Sequence, residues 1–351
     1  MFEYFGKSYT FNEVASHTGD ISQCAGFRQY TLRGGPHQGV EVTEVKTGAG
    51  LSYAIVHDRA GDIAWAEYKG IPLAFISAAG FSHPHRFEPE GNEWLRGFGG
   101  GLLTTCGLTH VGQATEFEGV EYGLHGRISY LPAHHVSTRC YWEHDEYVLE
   151  VEFEVRQVKV FAEHLVLLRR YRSYAGRNSI EIEDRIENRG TRIQPVMLLY
   201  HMNFGFPVVN EDSLLAIRTA DSDETTDPGD AFAVASDEAE ADFHTFPSSP
   251  SADEKPAVLL CNDRSNPQLA VELRYSGDSL KWLHTWFNLR SREYVLSIEP
   301  ANCLVEGIAK ATQSGRVAHL APQEVQRTWL HLEVVDGAED VQSVLNALRS
   351  G

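Results

Sequence analysis

Concentrated positive charge is the first thing this chain lacks. Across 351 residues, 30 Lys and Arg stand against 49 Asp and Glu, a formal net charge of -19, and no basic run occurs anywhere. Nucleic-acid binding rests on clustered cations that neutralise phosphates, so polyanion partners are excluded. The same balance disfavours anionic lipid headgroups. No apolar run approaches the roughly 20 residues that a membrane helix needs. MFEYFGKSYTFNEV at the start has no basic stretch leading into an apolar one, so no secretory signal is expected. Cysteine is sparse: Cys24, Cys106, Cys140, Cys261 and Cys303 are scattered, odd in number and free of any CxxC spacing. That excludes a disulfide framework and a thiolate zinc site, and the expected setting is a reducing cytoplasm.

Three catalytic signatures are also missing. Gly97-Phe-Gly99-Gly100-Gly101 is glycine-rich, but no Lys-Ser/Thr follows it and no βαβ context surrounds it, so it is neither a P-loop nor a dinucleotide fingerprint. No Gly-x-Ser-x-Gly elbow occurs. His83-Pro-His85 and His134-His135 lack metal-ligand spacing and read as surface histidines. No metal and no cofactor is expected.

What is present is period-2 alternation. Tyr147 to Val155 reads YVLEVEFEV, with apolar and acidic residues in strict alternation, as in a half-buried antiparallel strand. Ser179 to Ile186 repeats the pattern, and Gln194 to Tyr200 is a continuous apolar run that predicts a strand buried on both faces. Ser52 to His57, Gln268 to Arg274, Tyr294 to Ile298 and Gln326 to Val335 are further strand candidates, separated by Gly, Pro, Asn and Asp. Helical spacing is confined to Ser16 to Cys24 and Glu339 to Leu348. Many strands with few short helices predict an all-β fold, a large antiparallel sandwich or barrel. One composition shift interrupts it: residues 221–254 hold eleven acidic residues and no Lys or Arg, the mark of a surface excursion.

Three residues stand out for chemistry. His201 follows PVMLLY and precedes MNFGFP, where a strand runs out into a turn beside Asn203 and Phe204. His125 lies between Gly123 and Gly126, which permit close backbone approach. Glu299 closes the apolar run Tyr294 to Ile298 and precedes Pro300; a carboxylate there can serve as a base or pair with an arginine such as Arg127. Two imidazoles and a carboxylate are the minimum for moving protons on and off a substrate's oxygens. Trp286 and Trp282 offer aromatic faces to a sugar ring or to the core.

The segments GGLLTTCGLTHVG (100–112), YGLHGRIS (122–129), LLYHMNFGFP (198–207) and IEPANCLVEG (298–307) together resemble the aldose 1-epimerase, or galactose mutarotase, superfamily, and within it the DUF4432 branch. The resemblance covers about residues 60–332. It implies one mutarotase-like β-sandwich domain over residues 1–351, with the site on a concave face. It also implies a small-molecule sugar or sugar derivative as partner. Glu299 matches the family's general base, His201 its general acid and His125 a histidine that contacts substrate near the ring oxygen. The family's early Asn-Arg pair has no counterpart here, which makes Arg127 the candidate cation and Thr105, Cys106 and His110 secondary candidates. Asn203 and Trp286 complete the expected substrate contacts. The implied reaction is interconversion of sugar anomers. Isomerisation or elimination on a keto-sugar by the same groups stays open, as does a non-catalytic carbohydrate sensor, because fold does not fix function. Oligomeric state is left open, with a homodimer among the options.

Overall fold

The computed structural model describes residues 2–4, 7–144, 146–219, 232–248 and 255–350. Two antiparallel sheets face each other. The larger has eight strands in the order Ala133–Glu143, Glu146–Val158, His164–Tyr174, Ser179–Asn188, Val325–Asp336, Leu269–Tyr275, Ala257–Cys261 and Leu214–Arg218. The facing sheet runs Asp242–Pro247, Trp282–Arg290, Glu293–Ala301, Gln194–Gly205 and Ala318–Leu320, with Thr104–Leu108 also paired to Gln194–Gly205. A five-stranded meander, Gly26–Thr31 through Ile71–Pro72, stands beside them. This is the antiparallel β-sandwich that the alternating pattern predicts.

The alternation explains which faces meet. Leu149, Val151, Phe153 and Val155 point inward from the eight-stranded sheet, and the intervening Glu residues point away. Tyr200, Met202, Phe204, Leu296 and Ile298 meet them from the facing sheet in one contiguous core. Gln194–Gly205 and Glu293–Ala301 are buried along almost their whole length because the second face of their sheet is also covered, as the continuous apolar run foretold.

A buried ionic cluster ties the meander to the two facing sheets: Arg169 and Asp184 lie on the eight-stranded sheet, Asp62 on the meander, and Tyr200 and Thr105 on the facing sheet. Arg169 is 1% exposed; its Nε and Nη2 donate to the two carboxylate oxygens of Asp184 at 2.8 and 2.7 Å, and its Nη1 donates to Asp62 at 2.9 Å. Asp62 also accepts from the Thr105 backbone at 2.8 Å and its hydroxyl at 2.5 Å, and Asp184 accepts from Tyr200 at 2.6 Å. Every charged oxygen therefore has a donor, the condition under which buried charge is tolerated.

Several expectations need correction. The first helix is Phe11–His17, not 16–24, where only the single turn Ile21–Gln23 forms. Its start is set by a capping box, in which Thr10 and Glu13 satisfy each other's orphan groups. The helix at the C-terminus spans Ala338–Ser350 and closes the apolar patch formed by Leu214, Leu259 and Cys261 with Val341 and Leu345. The strand carrying His201 does not end there: pairing continues through Gly205, so His201 and Asn203 lie inside the sheet. Of the acidic excursion, residues 221–231 and 249–254 lie outside the described residues. The part between them contributes an edge strand, Asp242–Pro247, paired with Trp282–Arg290.

Candidate functional site

In antiparallel pairs, directly opposed residues project to the same face. The registers place Thr104 opposite His201, and His284 opposite both Glu299 and Thr245. Met202 opposes Ile298 and Leu199 opposes Ala301, so His201 and Glu299 fall level with each other on neighbouring strands. One polar row thus crosses five strands: Thr104, His201, Glu299, His284 and Thr245. It lies on the face of the sheet that turns away from the main core. The next row on that face holds Asn203, Ser297 and Trp286.

His201 and Glu299 are 6% and 2% exposed, and His201 Nε2 lies 3.2 Å from Glu299 Oε1. The Ser297 hydroxyl donates to the same carboxylate oxygen. Phe98 and Trp286 flank the His201 ring, with centroids 5.4 and 5.9 Å away, and His125 approaches it edge-on at 6.1 Å. Trp94 packs against His125 at 5.2 Å. The pair therefore lies in an aromatic enclosure that lowers the local dielectric and strengthens its electrostatics.

Six buried side-chain polar atoms lack a hydrogen-bond partner among the described residues. Three of them belong to this cluster: His125 Nδ1, His201 Nδ1 and Asn203 Oδ1. Leaving such atoms unpaired costs about 1–3 kcal/mol each, so their concentration at one place makes this cluster the candidate site. Asn203 is held in place by its amide, which donates to the carbonyls of Gly101 and His201, both at 2.9 Å.

His125 is delivered by a tightly folded loop. Its own φ is +55°, a conformation that costs a non-glycine residue of order 1–3 kcal/mol. Its amide donates to Gly112 at 2.9 Å, and its carbonyl accepts from Gly107 at 3.0 Å. Gly126 must be glycine, because a Cβ there would stand 2.5 Å from the Gly107 carbonyl oxygen. Burial, and then the neighbouring His201 and His110, push the His125 ring down to about 3, so it is neutral at physiological pH.

The other expected site residues divide. Trp286 is half-buried at the rim of the cluster. Thr105 is not in it: Thr105 opposes Tyr200 and points to the core, where it holds Asp62. His110 is spent on structure. Its Nδ1 accepts from the Ile308 amide at 3.2 Å, which fixes Nε2 as the donor to the Gln113 carbonyl at 3.0 Å. Arg127 is exposed and faces a separate cleft, with Phe87 under its guanidinium at 6.0 Å. Cys106 and Cys303 belong to an apolar cluster with Leu199 and Ala301, and burial pushes both thiols up.

Sequence reasoning missed Thr104, Ser297, His284, Trp94 and Phe98. His284 is fully buried, with Nε2 3.1 Å from the Cys303 carbonyl oxygen and Nδ1 2.9 Å from the Thr245 hydroxyl. A carbonyl only accepts, so Nε2 carries the proton and Nδ1 accepts from Thr245. Burial lowers its proton affinity, against the pull of Glu299. The one signal available was periodicity: Trp282, His284 and Trp286 alternate in KWLHTWFNL, and a strand puts them on one face. Among the described residues, no group of three or more His, Cys, Asp or Glu is arranged to hold a metal ion. No helix among them is long and apolar enough to cross a membrane.

Comparison with solved structures supports the same architecture. A protein from Klebsiella pneumoniae, provisionally described as an aldose 1-epimerase, superposes with a TM-score of 0.84 at 18% identity, over 93% of this chain and 88% of that one. A galactose mutarotase-like protein from Clostridium acetobutylicum gives 0.58 at 11% identity, over 90% and 99% of the two chains. The galactose 1-epimerase of Lactobacillus acidophilus gives 0.55 at 13%, over 89% and 99%. At these identities the likeness establishes the fold. No curated protein matches the sequence. The family model described as "Domain of unknown function (DUF4432)" matches residues 37–334. The chain belongs to the DUF4432 family and has the galactose mutarotase-like fold.

Proposed function

We propose that the protein interconverts the anomers of a free sugar by acid–base ring opening, acting as one catalytic domain. The observation that carries this reading is the buried His201–Glu299 pair, 3.2 Å apart, surrounded by orphaned acceptor and donor atoms. Mutarotation takes a proton from the anomeric hydroxyl and gives one to the ring oxygen. Both oxygens are bonded to the same carbon, so the base and the acid that serve them must lie close together. Glu299 is the base and His201 the acid. The ring then opens, the C1–C2 bond rotates, and the aldehyde recloses on its other face with the roles reversed.

His125 Nδ1 and Asn203 Oδ1 supply hydrogen-bonding positions for the sugar hydroxyls, and Trp286 and Phe98 supply aromatic faces for the C–H faces of the ring. The named activities of the superposing proteins point the same way. The chemistry uses side chains alone. All five cysteines are free thiols, which fits the reducing cytoplasm expected from the sequence.

The test is exchange between α and β anomers, followed by NMR saturation transfer over a panel of aldoses, uronates and keto-sugars. Glu299→Gln keeps an oxygen for Ser297 and His201 but removes the base, so it should slow exchange by about 10²–10⁴-fold. Parent-level exchange in the variant would remove Glu299 from the reaction. Solvent deuterium appearing at carbon would replace mutarotation with isomerisation or elimination at the same site. Sugar binding without any turnover would make the protein a sensor.

A further inference from the structure

A concavity of about 800 Å³ opens behind the His125 loop and is lined by neither His201 nor Glu299. Its volume is that of a small-molecule site. Gly123 and Gly126, which flank His125, form part of its wall. We propose that this cleft binds a small amphipathic anion: a phosphate monoester or carboxylate carried on an apolar body. The inference is independent of the anomer chemistry proposed above.

Charge is the first argument. Arg127, Lys159 and Arg192 line the cleft from three separate loops, and among the described residues none of the three has a carboxylate within ion-pair distance. In a chain of net charge -19, a hollow whose wall carries as many unpaired cations as carboxylates is less acidic than the surface at large. A fourth lining cation, Arg156, is neutralised by Glu154, to which its Nε donates at 2.7 Å. Arg127 is steadied by Phe87 beneath it, so little freedom is lost when it takes a ligand. Carboxylates are present too, as Glu118, Glu121 and Glu163. Glu163 and Glu118 act on the Tyr122 phenol, which burial first and then these two charges push up, so two of the three carboxylates are gathered near Tyr122.

Apolar surface is the second argument. Phe117, Tyr122, Leu131 and Ile308 line the same hollow. Around it, Val158, Ile193 and Phe161 are 51%, 63% and 94% exposed, an unusual concentration of bare apolar side chains on a soluble surface. A bare inorganic anion would use the cations and leave this surface wet. A ligand with an apolar body uses both.

The experiment is isothermal titration of the full-length protein with phenyl phosphate, inorganic phosphate and benzyl alcohol. Phenyl phosphate should bind at one site, inorganic phosphate about ten-fold more weakly and benzyl alcohol undetectably. Arg127→Ala and Arg192→Ala should each weaken phenyl phosphate about ten-fold. Arg33→Ala, an exposed cation elsewhere on the chain, should not. These side chains are on the surface, and an unchanged melting temperature will show that the variants are folded. Unchanged affinity in Arg127→Ala and Arg192→Ala, equal affinity for the two phosphates, or no binding of phenyl phosphate would each overturn the proposal. Glu299→Gln should bind phenyl phosphate like the parent. Retained binding without any anomer exchange in the parent would therefore sink the mutarotase reading alone.

Discussion

Replacing Arg169 by Leu tests the claim that the buried ionic cluster joins the eight-stranded sheet to the meander. The substitution keeps most of the aliphatic stem and removes the guanidinium. Asp184 would lose two hydrogen bonds, at 2.8 and 2.7 Å, and keep only the donation from Tyr200 at 2.6 Å. Asp62 would lose one at 2.9 Å and keep those from Thr105. The two carboxylates are 5% and 3% exposed, so neither can turn to water. Burial already raises the Asp62 carboxyl against the pull of Arg169, and removing the cation removes that compensation. Breaking a buried pair by deleting one partner costs about 3–5 kcal/mol, and two carboxylates share this partner, so the upper part of that range is expected. Urea denaturation followed by circular dichroism measures it, read as a shift in midpoint at unchanged slope. Adding Asp62→Asn and Asp184→Asn to Arg169→Leu should recover much of the loss, because the stranded charges disappear with the cation. A loss under about 1 kcal/mol for Arg169→Leu would refute the reasoning, since it would mean that water or relaxation reaches these carboxylates.

Three further outcomes follow from the same geometry. Tyr200→Phe removes the hydroxyl that meets Asp184 and Thr328, both at 2.6 Å, and should cost about 1–3 kcal/mol by the same denaturation assay, with a neutral result placing water at that position. Gly107→Ala should fail to accumulate as folded protein, because the new Cβ would stand 2.1 Å from the Met197 carbonyl oxygen at a φ of +127°; a parent-like melting temperature would contradict this. Stability should fall on acidification below about pH 6.5: His125 is held at about 3, against an ordinary value of 6.5, so the unfolded chain binds the extra proton throughout that window. His110 and His284, lowered by burial, add to the same slope, and His125→Gln should flatten it measurably in melts taken between pH 4 and 7.

The sequence by itself determined the architecture. Strict alternation in Tyr147 to Val155 fixes one wet and one dry face, and a sheet so built must cover the dry face with another sheet. The ordered motifs around His125, His201 and Glu299 marked three residues that the structure brings close together. Tertiary structure decided the rest. Register, which no local pattern encodes, set Thr104 and His284 in line with His201 and Glu299, and turned Thr105 to the core one residue away. Arg127, two residues beyond His125, faces a different cleft: His125 sits inside the turn that Gly126 closes on the Gly123 carbonyl at 3.1 Å, and Arg127 lies outside it. Phe98 reaches His201 from a glycine-rich stretch about a hundred residues earlier, a proximity created only by folding. Side-chain type and period are properties of neighbours in sequence, whereas a site is a property of neighbours in space.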